Sequence, residues 1–279
     1  MSESTDSPAT DDVTRRIENG IAWITLNRPD AGNAMTGAMR DQIRDWVLDA
    51  SGDLFVRVVV ITAAGEKAFC TGADLRGGRL APRPKPEDAP EGVMGEASRI
   101  IRDGWQRLVG AILDCEKPVI AGVNGTAAGG GMHLALACDL VVAAEESKFI
   151  EVFIRRGIMP DAGGAWLLTR LVGIQKAKEL FFLGDDVPAA EAYRIGLVNR
   201  LVPRSELQST LEELAGRLAS GPTKAIGLAK WLTNRALDVD RATSLHDEAM
   251  AQELLTHTLD SKEGIASFVE RRPSEFKGW

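Results

Sequence analysis

Residues 125–142 read GTAAGGGMHLALACDLVV, and this stretch decides the fold. An apolar strand pattern, PVIAGVN (118–124), precedes it, and its last residues begin a second one, DLVVAAE (139–145). Between the two patterns, the glycines Gly129–Gly131 open an apolar helix. The order strand, glycine turn, helix and strand is typical of layered folds in which helices cover a sheet. The sequence therefore predicts an α/β protein.

The glycine run also predicts a binding site. It matches neither G-x-G-x-x-G nor G-x-x-x-x-G-K-[ST], so the spacing of a dinucleotide site or a P-loop is missing. The first turn of a helix leaves N–H groups unpaired, and glycines carry no side chain to block a ligand. Such donors suit the negative charge that develops on a thioester oxygen. The alternative is that these glycines only allow a helix and a strand to pack closely.

Composition limits the class of protein. The chain has 279 residues, 44% of them hydrophobic, and a formal net charge of −7, so we expect no nucleic-acid partner. No apolar stretch approaches the ~20 residues of a membrane helix, so we expect no membrane partner either. Residues 1–12 are polar and predict a disordered tail without an export signal. The cysteines have no metal-like spacing, which favours a reducing cytoplasmic location and no metal site.

The remaining patterns divide the chain into two regions. A hairpin is predicted around Asn19-Gly20, followed by a helix over 36–50 and a buried strand over 56–63. Four prolines between positions 82 and 90 predict a mobile surface loop. Helical patterns dominate after Pro203. We therefore expect an α/β core over 13–203 and a helical region over 204–279.

A second glycine turn, in AFCTGADL (68–75), also follows a strand, and here the chain resembles a known family. The shared motifs are LNRPDAGNAM (26–35), AFCTGADL, KPVIAGVNGTAAGGGMHLALACDLVVA (117–143), GIMPDAGGAWLLTRLVG (157–173) and EGIASFVERRPSEF (263–276). They are similar to the successive signatures of the crotonase family, the enoyl-CoA hydratases and isomerases. The resemblance implies a crotonase-like ββα spiral core with a C-terminal helical trimerisation region, giving a homotrimer or a dimer of trimers.

The same resemblance implies an acyl-CoA thioester as substrate, with no bound cofactor. The thioester oxygen would sit in an oxyanion hole made by the backbone N–H groups of Ala73 and Gly130. The hydratases of the family use two glutamates to activate water, and both are replaced here, by His133 and Phe153. A phenyl ring neither accepts a hydrogen bond from water nor transfers a proton. Glu151 is the nearest carboxylate to Phe153, but we expect a separation of two positions, on a strand or at the start of a helix, to place it on a different face, so we do not assign it a role.

Asp161 is the candidate acid/base. It follows Pro160 where hydratases have glycine, and the dienoyl-CoA isomerases and the ring-epoxide isomerase of the family carry an aspartate there. A carboxylate in an apolar pocket lined by Phe153 and Trp166 should have a raised pKa. The alternative is an aspartate that caps the following helix or forms its turn. His133 is likewise either a satisfied core histidine or a base or donor that faces the acyl group.

The resemblance also implies how the coenzyme is held. Arg28 would contact its nucleotide end together with the backbone near Ala31 and Ala34, and the backbone of Asp74 and Leu75 would border the adenine. From a neighbouring subunit, Phe268 would stack on the adenine and Arg271 would meet the 3′-phosphate. For both arginines the alternative is a solvated surface charge.

Three functions compete at this point. The first is an acyl-CoA isomerase in which the oxyanion hole stabilises an enolate-like thioester and Asp161 moves a proton. The second is a hydratase in which His133 and Asp161 replace the two glutamates. The third is a protein that binds acyl-CoA without converting it.

Overall fold

The structure of the protein is a computed structural model, and it describes residues 12–76, 86–90 and 94–279. Nearly all of the predicted tail and most of the proline-rich loop lie outside the described residues. Among the residues that are described, no helix combines the length and apolar character needed to cross a bilayer.

In the described part of the chain, ten strands form two sheets. Their bounds are β1 Val13–Glu18, β2 Ile21–Leu26, β3 Val58–Ala63, β4 Ala68–Cys70, β5 Val119–Val123, β6 Thr126–Ala128, β7 Leu140–Ala144, β8 Lys148–Ile150, β9 Asp186–Pro188 and β10 Arg200–Val202. The larger sheet has the order β1-β2-β3-β5-β7-β10, and the smaller has the order β4-β6-β8-β9. Each of three successive strand pairs, β3–β4, β5–β6 and β7–β8, gives one strand to each sheet.

Across the same described residues, ten α-helices connect or follow these strands: α1 Gly37–Gly52, α2 Glu96–Asp103, α3 Trp105–Leu113, α4 Gly130–Ala137, α5 Gly164–Leu183, α6 Ala189–Arg194, α7 Arg204–Ala219, α8 Thr223–Arg235, α9 Arg241–Thr256 and α10 Leu259–Glu270. Helix α5 is interrupted at Gly173, whose φ of 76° is not helical. With helices following the strand pairs, the chain winds as the ββα spiral that the sequence predicts. The helices after β10 form the C-terminal region.

The first hairpin shows how local residue choice sets the topology. Strands β1 and β2 pair in antiparallel register from Val13 opposite Leu26 to Glu18 opposite Ile21. The turn residues Asn19 and Gly20 have φ angles of 53° and 77°. Positive φ at both positions is the geometry of a two-residue turn that matches the twist of the strands, and Asn-Gly adopts it readily. The hairpin prediction is confirmed.

Strand β3 is covered on both faces, which explains its continuous apolar sequence. Val59 and Ile61 belong to the core shared with α1, α3 and α4, whereas Val58 and Val60 pack in a second cluster with α7. Parallel strands buried on both faces need apolar residues at every position. The larger sheet is therefore a rigid frame, and the turns at the ends of its strands are held by it.

The C-terminal helices leave much apolar surface uncovered in the single chain. Large side chains on α8, α9 and α10 are about half exposed or more, among them Trp231, Leu254 and Phe268. A cleft of about 1100 Å³ separates α8 and α9 from the end of α3 and from Trp166 of α5. Assembly into trimers, with this region as the contact, stays a prediction.

Candidate active site

The two glycine turns predicted to converge do meet. A side-chain carbon built on Gly72 would lie 3.1 Å from the carbonyl oxygen of Ala128 and 3.5 Å from the backbone nitrogen of Gly130. The turn after β4 therefore abuts the beginning of α4, because β4 and β6 are neighbours in the smaller sheet. The backbone nitrogen of Asp74 donates to the carbonyl of Met35 over 3.0 Å, and that of Met35 donates to Gly72 over 2.8 Å. These two bonds fix the peptide unit of Ala73 beside Gly130.

Helix α4 begins without a side-chain cap. Its N-cap is Gly129, with φ 53°, and no side chain accepts a hydrogen bond from the first turn. The N–H of Gly129 itself donates to the carbonyl of Ile150 over 2.9 Å. The N–H of Gly130 belongs to the group of first-turn donors that lack an intrahelical acceptor. Its position beside Ala73 suits a pair of donors aimed at one oxygen.

Close packing around this turn also requires glycine at positions 130 and 131. A carbon built on Gly131 would lie 2.1 Å from the carbonyl oxygen of Cys70, and one built on Gly130 would lie 2.9 Å from the indole ring of Trp105. The packing and donor interpretations therefore describe the same turn. Trp105, at the beginning of α3, is buried, and sequence reasoning missed it because a lone tryptophan carries no motif.

Glu151 lies against His133, so the expectation that it points away is wrong. Its Oε1 and the Nε2 of His133 are 2.8 Å apart. Both residues are buried, with 0% of His133 and 2% of Glu151 exposed. Strand β8 ends at Ile150, and Glu151 is no longer part of it. Residues two positions apart on an extended chain share a face, so alternation itself allows Glu151 and Phe153 to lie on the same side, and both contact His133.

Phe153 and Gly164 complete the surroundings of the histidine. The Phe153 ring stacks on the imidazole, with centroids 5.3 Å apart and planes inclined by 15°. A carbon built on Gly164 would lie 2.1 Å from the Cε1 of His133, so the missing side chain makes room for the ring. Within the described ranges, His133 is not a fully satisfied core histidine: its Nδ1 is buried without a hydrogen-bond partner, and so is the Oε2 of Glu151.

Asp161 lies beside this pair on the loop before α5. Its side chain is partly buried, and burial raises its pKa; a positive charge on His133 would lower that pKa, and the Glu151 carboxylate raises it further. The N-cap of α5 is Gly163, and no side chain caps the helix. The capping interpretation of Asp161 is therefore wrong, although its carbonyl does accept a hydrogen bond of 2.9 Å from the N–H of Gly164.

Trp166 has a different environment from the one expected. The guanidinium carbon of Arg170 lies 3.9 Å from the centroid of the Trp166 ring. The residue also lines the cleft against α8 and α9. A contact between Trp166 and an acyl group stays a prediction.

The predicted nucleotide end is an ion-pair cluster. Arg28 donates from Nη1 to the carbonyl of Ala34 over 2.7 Å and to Oδ2 of Asp74 over 3.0 Å. Hydrogen bonds from the side chain and backbone of Arg76, followed by that from Arg28, lower the pKa of Asp74 to about 2. The N–H of Ala31 donates to the carbonyl of Arg28 over 3.0 Å. Hydrogen bonds thus join the predicted positions into one unit, made of Arg28, Ala31, Ala34 and Asp74. The contact of this unit with a nucleotide stays a prediction.

The other residues assigned to the coenzyme lie at the surface. Leu75 is exposed beside Asp74, and Phe268 on α10 is 84% exposed. Arg271, the C-cap of α10, is exposed with φ 56°. Phe268 therefore packs little against the described part of its own chain. A role for it and Arg271 in a neighbouring subunit's site stays a prediction.

No group of three or more His, Cys, Asp or Glu side chains among the described residues could hold a metal ion.

Comparisons with known proteins agree with this architecture. A family model described as enoyl-CoA hydratase/isomerase matches residues 16–279. The crotonyl-CoA hydratase of Syntrophomonas wolfei is 37% identical over 271 residues, covering 96% of this chain and 98% of that protein. The 1,2-epoxyphenylacetyl-CoA isomerase of Escherichia coli is 33% identical over 266 residues, covering 95% and 98%.

A solved structure gives the same result for the fold. The crystal structure of an enoyl-CoA hydratase from Bacillus anthracis superposes with a TM-score of 0.86 at 33% identity, covering 96% of this chain and 100% of that one. The match extends through the spiral core and the C-terminal helices. On these grounds, the chain is an enzyme that belongs to the enoyl-CoA hydratase/isomerase family.

Proposed function

We propose that this enzyme is an acyl-CoA isomerase that moves a proton along the acyl group with Asp161 as acid and base. The observation that carries the proposal is the position of Asp161. It is a half-buried carboxyl with a raised pKa, next to a buried His–Glu pair and without a cation bonded to it in the described residues. A carboxyl with a pKa nearer neutrality transfers protons in both directions more readily than an ordinary aspartate.

The substrate in this proposal is a coenzyme A thioester, and no bound cofactor is needed. The N–H groups of Ala73 and Gly130 stabilise the oxyanion that forms when a proton leaves the carbon chain. Asp161 takes that proton and returns it to another carbon, so that the double bond moves and the composition of the substrate is unchanged. Phe153 keeps the pocket apolar and, unlike a glutamate, cannot activate water.

Assembly completes the proposed site. In a homotrimer or a dimer of trimers, Phe268 and Arg271 of one subunit would reach the nucleotide end of the next. Their exposure in the single chain supports this arrangement.

A hydratase is the second candidate. The relative named crotonyl-CoA hydratase is 37% identical, against 33% for the relative named as an isomerase. In this case His133 and Asp161 would have to hold the water that two glutamates hold in other hydratases.

The Asp161→Asn variant separates the candidates. We expect it to lose double-bond migration by a factor of about 10² to 10⁴, the range for removal of a general acid/base, while it still binds coenzyme A. The assay uses 2-enoyl, 3-enoyl, dienoyl and arylacetyl thioesters and follows product mass and double-bond position. The exposed Asp185 provides the matched control, Asp185→Asn.

Three results would contradict the isomerase. Migration at the wild-type rate in Asp161→Asn would remove this residue from the mechanism. A gain of one water at about 10 s⁻¹ or more, a typical enzymatic rate, would establish the hydratase instead. Firm binding without conversion of any thioester in the panel would indicate a binding protein.

A further inference from the structure

The buried pair of His133 and Glu151 has an imbalance in its hydrogen bonds. One bond of 2.8 Å joins Nε2 to Oε1. The other nitrogen, Nδ1, and the other oxygen, Oε2, are both buried without a hydrogen-bond partner among the residues that the structure describes. Buried polar atoms are nearly always paired, and an unpaired N–H donor is rarer than an unpaired acceptor.

The surroundings hold the imidazole in one orientation. Phe153 stacks on one face of the ring. The backbone of Gly164 lies at the Cε1–Nε2 edge, where a side-chain carbon would come within 2.1 Å of Cε1 and 2.2 Å of Nε2. Glu151 then fixes the direction of Nε2. Because the ring is confined in this way, the possible states of the pair differ in where its protons lie.

Counting donors distinguishes the possible protonation states. A doubly protonated imidazole would leave a charged N–H at Nδ1 without an acceptor in the described residues. A proton on Glu151 would turn Nε2 into the acceptor and place the ring proton on Nδ1, again as an unpaired donor. A neutral ring with its proton on Nε2 and an ionised Glu151 leaves no N–H donor unpaired in the described residues, and the buried negative charge is the cost of this state.

We propose that Glu151 is a positioning residue that keeps the His133 proton on Nε2, so that the pair carries one negative charge beside Asp161. Glu151 itself need not touch the substrate. Its carboxylate acts through the ring that it orients and through the charge that it places near the proposed acid/base.

The pair acts on Asp161 through its charge. Within the described part of the chain, the titratable side chains that influence the pKa of Asp161 are His133, from α4, and Glu151, from the segment after β8. On the α3 side, Trp105 packs over Gly130 and Val109 contacts Gly163, and neither side chain titrates. The negative charge of Glu151 raises the pKa of Asp161, and its loss should therefore lower it.

Nitrogen NMR tests the protonation state directly on the substrate-free protein. The chain has three histidines, and the other two, His246 and His257, are exposed. We expect the His133 signals to show a neutral ring with its proton on Nε2 throughout the pH range of the assay. In Glu151→Gln this single state should be lost, since a carboxamide can donate as well as accept.

A surface pair supplies the matched control. Nε2 of His257 lies 3.6 Å from Oε1 of Glu253, and both residues are exposed. Glu253→Gln makes the same substitution next to a histidine and should leave the His133 signals unchanged. A wild-type ring that is doubly protonated or carries its proton on Nδ1 overturns the proposal, and this result requires no variant to fold.

The pH dependence of isomerisation is the second readout, and it rests on the proposed function. With Asp161 as the initial base, the rate falls on the acid side as Asp161 becomes protonated. In Glu151→Gln that acid limb should move to lower pH, and in Glu253→Gln it should not move. An unmoved limb in folded Glu151→Gln would show that the pair is merely structural.

The two failures can be told apart. If Asp161→Asn isomerises normally, the proposed function fails, yet the NMR result for His133 still stands or falls by itself. If Asp161→Asn is inactive and His133 carries its proton on Nδ1, the role of Glu151 fails and the proposed function survives.

Discussion

Asp161 and Asp74 are the same residue type in opposite environments. Asp161 is partly buried next to a buried His–Glu pair, and burial raises its pKa. Asp74 is bonded by Arg76 and Arg28, which hold its pKa at about 2. A carboxylate held by two guanidinium groups stays ionised and anchors its surroundings, whereas one without a cation can change its protonation. The comparison teaches that the two ends of the proposed site are built for different tasks.

Ala73 connects the two ends, since it lies between the glycine turn and Asp74. An N–H group that donates to the thioester oxygen should affect kcat more than it affects the Kd for coenzyme A. We expect Ala73→Pro, which deletes the N–H, to lower kcat about 10²- to 10³-fold, the usual effect of removing an oxyanion-hole donor. Turnover and the Kd for coenzyme A are measured on the same preparation.

Ala73→Gly serves as the comparison, because it keeps the N–H while removing the side chain. It should lose far less activity than Ala73→Pro. Equal losses in the two variants would point to loop disruption and would leave the donor role of Ala73 without support. A loss of coenzyme A affinity alone would assign Ala73 to the nucleotide end.

Arg271 tests the nucleotide end alone. If it meets the 3′-phosphate from a neighbouring subunit, Arg271→Ala should weaken coenzyme A binding about tenfold, as for loss of a charge-assisted hydrogen bond. Binding of dephospho-coenzyme A, which lacks that phosphate, should not change. Arg241→Ala, at an exposed position of α9, is the control. If Arg271→Ala weakens the binding of coenzyme A and dephospho-coenzyme A equally, the contact between Arg271 and the 3′-phosphate is wrong.

The smallest expected effects are changes in thermal stability, and Asp161→Asn and Asp74→Asn should shift the unfolding midpoint in opposite directions. The raised pKa of Asp161 means that the folded state holds its proton longer than the unfolded state, so its contribution to stability falls as pH rises through that pKa. Asp161→Asn should therefore raise the unfolding midpoint at neutral pH. The lowered pKa of Asp74 contributes stability above its ordinary value and loses it as pH falls towards about 2.

Asp74→Asn should consequently lower the midpoint at neutral pH. Thermal unfolding of the two variants at pH 7, and again under acid conditions, checks both signs. Shifts in the same direction would mean that the contrast between the two carboxylates is not electrostatic.

Sequence patterns predicted the frame of the molecule well. The hairpin at Asn19-Gly20, the buried strand β3 and the glycine turn before α4 all follow from local residue choice, which is strong where turn geometry or two-sided burial restricts it. The second sheet was implied only by the family resemblance. Its strands β4, β6 and β8 have three residues each, too short for a periodic pattern to be visible.

The candidate site was predicted in part. The convergence of the turns at Gly72 and Gly130 follows from parallel strands that end at one edge. Glu151 was missed because residues two positions apart were assigned to different faces, whereas alternation along an extended chain places them on the same face. Trp105 was missed because its role depends on packing against a helix that begins 25 residues later. Contacts of this kind are set by tertiary structure, and no local pattern encodes them.

The space that Gly164 leaves for His133 constrains how this protein can change over time. A carbon at position 164 would overlap the imidazole, at 2.1 Å from Cε1. The order of substitutions is therefore fixed: position 133 must accept a smaller residue before position 164 can gain a side chain. Laboratory evolution that starts from this chain should reach a double variant at positions 133 and 164 when position 133 changes first. It should not reach that variant when position 164 changes first.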